Sequence, residues 1–151
     1  MKNRRKIPPG SIIRISLSIH CYAYGRILNF RDMAIYDLQS SEGISELSEI
    51  VKMPIIFKGF VGTEHIEDGT WPILGCLPLN DSLQSSKYWL PEVGHKDKCK
   101  IFDNGNWFWL QPLSAGTGLF SGSIWRPEHI DEWLINHFSG FSNDKFNLDW
   151  V

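Results

Sequence analysis

The sequence predicts a mainly β (α+β) domain, a single antiparallel sheet, strongly twisted or barrel-like, with a short mid-chain helix and a C-terminal helix. Three observations carry this. Residues 11–19 alternate, with Ile13, Ile15, Leu17 and Ile19 on one face and Arg14, Ser16 and Ser18 on the other, the period-2 pattern of a half-buried strand. Asn104-Gly105 separates two short β-prone runs, and both central positions of a type I′ turn need the positive φ that Asn and Gly accept most easily. Between Pro127 and Gly140, Ile130, Trp133, Leu134, His137 and Phe138 recur at helical spacing.

The elements follow in order. Residues 1–9 are a basic lead-in ending in Pro8-Pro9, which stops a helix from running into the first strand. Residues 21–30 are a second strand, rich in aromatic and branched side chains, in which Tyr22, Tyr24, Arg26, Leu28 and Phe30 share a face and Gly25 marks a bend or close approach. A turn near residues 29–32 leads to a third strand at 33–38. At residues 44–51 the period changes, with Ile44, Leu47, Ile50 and Val51 on one helical face, and Pro54 ends the run. Residues 54–61 form a buried strand and 62–70 a polar, acidic loop. In residues 71–79, Pro72 and Pro78 confine any strand to the middle of the stretch and to a sheet edge. Loops at 80–86 and 91–98 flank a short strand at 87–90. The Asn104-Gly105 hairpin pairs 100–103 with 107–111. Residues 112–122 are a Gly- and Ser-rich loop, and 123–125 a last short strand. The helix lids one face of the sheet, and residues 141–151 are a tail whose Phe146, Leu148 and Trp150 could pack down.

A chain of 151 residues, 42% hydrophobic and 21% charged, is one domain long and can bury roughly 70% of its unfolded surface without disulfide or metal support. Seven Trp, nine Phe and four Tyr are a heavy aromatic load, suited to strands and interfaces. The net charge of −2 hides a polarity: residues 1–31 hold seven Lys/Arg and no acid, and the remainder holds eight Lys/Arg against 17 Asp/Glu. An acidic body of this kind suits a basic partner. Cys21, Cys76 and Cys99 are odd in number and lack any C-x-x-C spacing, so neither a disulfide framework nor a zinc site is expected. Pro8-Pro9 and Arg14 leave no secretory apolar core and no span of about 20 apolar residues, so a cytoplasmic protein without membrane contact is expected.

The residues point to binding rather than catalysis. The glycines of residues 116–122 miss a dinucleotide fingerprint and open no helix. His129 and His137 lie too far apart along the helix to share a metal. No nucleophile elbow or oxyanion-hole glycine run is present. No catalytic residue, metal or cofactor is therefore expected. Lys2, Arg4, Arg5, Lys6, Arg14, Arg26 and Arg31 with Tyr22 and Tyr24 form a basic, aromatic set of the kind small barrels use on single-stranded nucleic acid, an alternative that the acidic remainder opposes.

Tyr22-Ala23-Tyr24-Gly25-Arg26-Ile27-Leu28, preceded by Gly10-Ser11 and followed by Trp71-Pro72-Ile73-Leu74-Gly75 and Leu77-Pro78-Leu79, resembles the immunity protein 26 family of bacterial polymorphic toxin and contact-dependent inhibition systems. The resemblance covers roughly residues 8–112. It departs from the family pattern where Ile19-His20-Cys21 stands in place of an Asp-Gly turn. It implies a largely β inhibitor that neutralises a cognate secreted toxin C-terminal domain, basic and a nuclease, in the producing cell's cytoplasm, with no catalytic residues of its own. Candidate contacts are the loop acids Glu64, Glu67 and Asp68, the acids Glu128, Asp131 and Glu132 opening the last helix, and Trp107 and Trp109. The helix-opening acids also have a structural role, because the helix dipole favours them by about 0.3–1 kcal/mol each. For the Trp107-Phe108-Trp109 cluster, the plain expectation is one ring in the core and one beneath the C-terminal helix.

Overall fold

The computed structural model describes residues 7–143; the basic lead-in side chains Lys2 to Lys6 and the tail residues Phe146, Leu148 and Trp150 lie outside them. Strands β1 (Ser11–Ser18) and β2 (Cys21–Ile27) pair antiparallel around the two-residue turn Ile19-His20. The register shifts between Ser16 and Ser18, so a bulge adjusts the hairpin where the Asp-Gly turn is missing. Ile13 and Ile15 are buried as the alternation requires, whereas Ile19 lies in the turn at 82% exposure. β3 (Asp32–Tyr36) is buried at every residue, and β4 (Ile55–Val61) follows α1 (Leu47–Val51). That helix is shorter than the 44–51 expected, because the Tyr24 hydroxyl accepts the Ile44 N–H at 2.8 Å and Glu46 stays extended. α2 (Glu64–Glu67) occupies the expected acidic loop, and β5 (Ile73–Cys76) lies at a sheet edge, as the two prolines require.

β6 (Lys87–Glu92), β7 (His95–Asp103) and β8 (Asn106–Pro112) form a meander. β7 begins five residues earlier than expected: the charges of residues 95–98 read as loop, yet Gly94 at φ +82° closes a hairpin and the strand carries them. The Asn104-Gly105 turn has φ of +48° and +97°, the type I′ signature. β9 (Phe120–Ser121), inside the expected loop, and β10 (Ile124–Trp125) precede α3 (Pro127–Ser139), which Gly140 ends at φ +77°.

The single antiparallel or barrel-like sheet is corrected. There are two open mixed sheets, one ordered β10-β4-β3-β2-β1-β5 and the other β8-β7-β6-β9. β10 runs parallel to β4, and β9 parallel to β6. The chain leaves the first sheet after β5 because Pro78 has no N–H for a ladder and because Arg26 Nη2 donates to the Leu77 and Pro78 carbonyls at 2.9 and 2.7 Å. α3 packs Ile130 and Leu134 against Ile13, Ile15, Ile35 and Phe57 on one face of the six-stranded sheet, and α1 packs Ile50 against Ile12, Tyr24 and Tyr36 on the other.

The residues that carry the family resemblance meet in space and explain one another. Arg26 bonds the backbone of Leu77-Pro78. Gly10, at φ +89°, lies so close to that segment that an added Cβ would stand 2.1 Å from the Leu77 carbonyl oxygen. Its N–H donates to the Ile27 carbonyl at 2.7 Å, and its own carbonyl accepts the Leu77 N–H at 3.1 Å. The motif is the seam between the first hairpin and the edge strand β5.

Candidate functional site

A buried polar contact joins the two sheets, and beside that joint lies a cleft. The Tyr88 hydroxyl on β6 donates to Asp32 Oδ2 on β3 at 2.5 Å, while Asp32 Oδ1 accepts the Phe30 N–H at 3.1 Å. Burial, reinforced by the Asp32 carboxylate, pushes the Tyr88 phenol far above its usual range, so it remains a donor. Around the joint lie Phe30, Phe60, Phe102 and Trp107, with Phe102 5.5 Å from Phe30, 5.3 Å from Phe60 and 5.3 Å from Trp107 by ring centroids. These rings line a cleft of about 730 Å³, which Leu90 and Ile124 border and whose polar walls include Arg31, Thr63, Glu64 and Glu67.

The cleft gathers Glu64, Glu67 and Trp107 from the expected contact residues. Glu64 opens α2 and lies over Gly62, where a Cβ would come within 2.4 Å of its carboxylate. Glu67 accepts from the Thr63 hydroxyl at 3.0 Å, which steadies it at the rim. Asp68 does not line the cleft: it closes the turn after α2 by accepting the Thr70 N–H at 2.8 Å, and hydrogen bonding from the Thr70 side chain, then from its backbone, holds the Asp68 carboxyl below the usual range. Trp109 lies beyond the cleft with Lys100 Nζ 4.6 Å above its ring. The expectation of one ring in the core and one beneath the C-terminal helix fails, because α3 covers the other sheet and residues 107–110 are all exposed.

The helix-opening acids separate. Glu128 is exposed and shares a shallow hollow with Glu64, Arg126 and His129. Asp131 is half-buried, its Oδ1 has no hydrogen-bond partner, and desolvation raises its pKa against the lowering influence of His65. Glu132 is also half-buried.

Of the basic, aromatic set that was the alternative for nucleic acid, Lys2, Arg4, Arg5 and Lys6 lie outside the described residues. Arg26 and Tyr24 are buried, and Arg14 is half-buried with its guanidinium 4.9 Å from the Tyr22 ring centre. Sequence reasoning missed Phe30, Phe60, Phe102 and Lys100 as parts of the site. The one local sign for its Arg31 edge was the turn at residues 29–32, where Arg31 adopts φ +61°. Among the described residues no group of three or more His, Cys, Asp or Glu could hold a metal ion, and no helix is long and apolar enough to cross a membrane.

The family model for immunity protein 26 matches residues 8–100. The chain belongs to the immunity protein 26 family. The match takes in the Gly10, Arg26 and Leu77-Pro78 seam together with Glu64 and Glu67, and it ends within β7, so β8 and α3 lie outside the immunity protein 26 region. No curated protein and no solved structure matches the chain.

Proposed function

We propose that this immunity protein 26 family member binds a cognate secreted toxin domain through the cleft between its sheets and the adjoining face of β8. It thereby occludes the toxin's active site or substrate surface. The observation that carries the reading is the convergence of Glu64, Glu67 and Trp107 on one aromatic cleft, in a chain whose family consists of immunity proteins. Rings in a concave site supply apolar anchorage, and carboxylates at its rim steer and orient a basic partner. The toxin is a basic nuclease domain met in the producing cell's cytoplasm. The chain acts by occupancy, without catalysis.

The test is co-expression of a candidate toxin C-terminal domain, sought first in the gene immediately upstream, with and without this chain. Growth should be restored only when both are present, and the two should co-purify. Unrelieved toxicity, or relief without a complex, would refute the reading.

A further inference from the structure

β8 is an outer strand of the four-stranded sheet, so one of its backbone edges is not paired by a neighbouring strand. Its side chains are uncovered as well: Trp107, Phe108, Trp109 and Leu110 are 38%, 49%, 57% and 52% exposed although they alternate between the faces. A strand uncovered on both faces and open at its edge differs from the usual half-buried edge strand. The usual protections are thin, since Asn106–Pro112 contains no charged residue. A bulge does interrupt the strand, because Lys100 faces both Trp109 and Leu110 and Leu110 adopts φ +52°. That leaves Asn106 to Phe108 as the regular, available edge, with Trp109 at the bulge.

The surroundings of this edge are polar in a fixed direction. At the hairpin end Trp107 lines the cleft with Glu64 and Glu67. At the bulge end Lys100 lies over the ring of Trp109, and Lys98 follows on the same face of β7 by strand alternation. None of these four charged side chains is in an ion pair among the described residues. We propose that β8 is a docking strand: an extended segment of the toxin domain adds to its open edge, with a basic side chain toward Glu64 and Glu67 and an acidic one toward Lys98 and Lys100. The proposal rests on the toxin-binding reading and specifies its mode. A second copy fits less well, because another uncharged β8 would answer neither pair of charges. In strand addition, main-chain hydrogen bonds supply affinity and flanking side chains set register and direction.

The experiment uses the toxin domain from the neutralisation assay, in a catalytically inactivated form. Amide hydrogen exchange is measured on this chain alone and in the complex. Exchange at those amides of residues 106–109 that point away from β7 should slow on the order of tenfold or more on binding, because strand pairing takes edge N–H groups out of water. Lys98→Glu with Lys100→Glu should weaken the complex roughly tenfold, chiefly at low salt. Trp109→Ala, at an exposed position, should weaken it with the fold intact. A complex that forms while β8 amides exchange as before would overturn strand addition and leave toxin binding standing. Protection that grows with the concentration of the chain alone, together with a dimer in sedimentation, would assign the edge to a second copy instead. Absence of any complex would remove both proposals.

Discussion

Replacing Arg26 with Met tests whether this residue belongs to the architecture or to a nucleic-acid surface. Arg26 is 2% exposed, with Nη2 donating to the Leu77 and Pro78 carbonyls at 2.9 and 2.7 Å and Nη1 to the Tyr36 hydroxyl at 3.4 Å. Bonds to a charged group are each worth about 1.5–3 kcal/mol, so the two short ones together are worth about 3–6 kcal/mol. Burying the guanidinium costs several kcal/mol, and its Nε has no hydrogen-bond partner, so part of that gain is already offset. Met keeps most of the apolar volume but abandons both carbonyls, which the half-exposed loop lets water reach in part. The net loss expected is about 2–4 kcal/mol, a large share of the roughly 5–15 kcal/mol total for a domain of this kind. Urea unfolding followed by Trp fluorescence measures it, with the midpoint falling and the slope unchanged. A midpoint equal to that of the parent protein would refute the reasoning, and with it the account of the family motif as the seam between the hairpin and β5.

Three further outcomes are expected. Glu64→Lys with Glu67→Lys should slow association with a basic toxin domain: a charge pair about 5 Å apart in water is worth roughly 0.8 kcal/mol, so reversing two charges alters about 3 kcal/mol, of which roughly half survives physiological screening, an affinity loss on the order of tenfold. Melting temperature should barely move, and an unchanged association rate at low salt would exclude the cleft rim. Asp131→Asn should raise the melting temperature slightly at pH 7. The folded state holds the Asp131 proton more tightly than the unfolded chain does, so ionisation costs stability above the raised value and costs nothing below about pH 3.9, where both states are protonated. The advantage of the variant should therefore vanish as the pH falls toward about 4, and a constant difference across a pH series of melting curves would contradict this. Ile15→Asp should unfold the domain by circular dichroism, because Ile15 has no exposed surface and an unpaired buried charge costs several kcal/mol.

The sequence by itself determined the elements whose cause is local. Alternation in residues 11–18 put Ile13 and Ile15 inside, Asn104-Gly105 set a turn with both φ positive, Pro72 and Pro78 kept β5 short and at an edge, and Pro127 with Gly140 bounded α3. Each follows from steric or hydrogen-bond constraints within a few residues. Only the tertiary structure decided that the strands form two open sheets, because the parallel pairs β4–β10 and β6–β9 join segments far apart in the chain and β9 and β10 are two residues each, too short to show a period. The site divides in the same way. Glu64, Glu67 and Trp107 were visible as candidate contacts, though a core place was the plain expectation for the Trp107 cluster, and their convergence depends on the Asp32–Tyr88 joint that sets one sheet against the other. Arg26 is the sharpest case. Its sequence places it in a basic, aromatic strand, and the fold buries it, because the carbonyls it must reach lie 51 and 52 residues away and no local pattern encodes a partner at that separation.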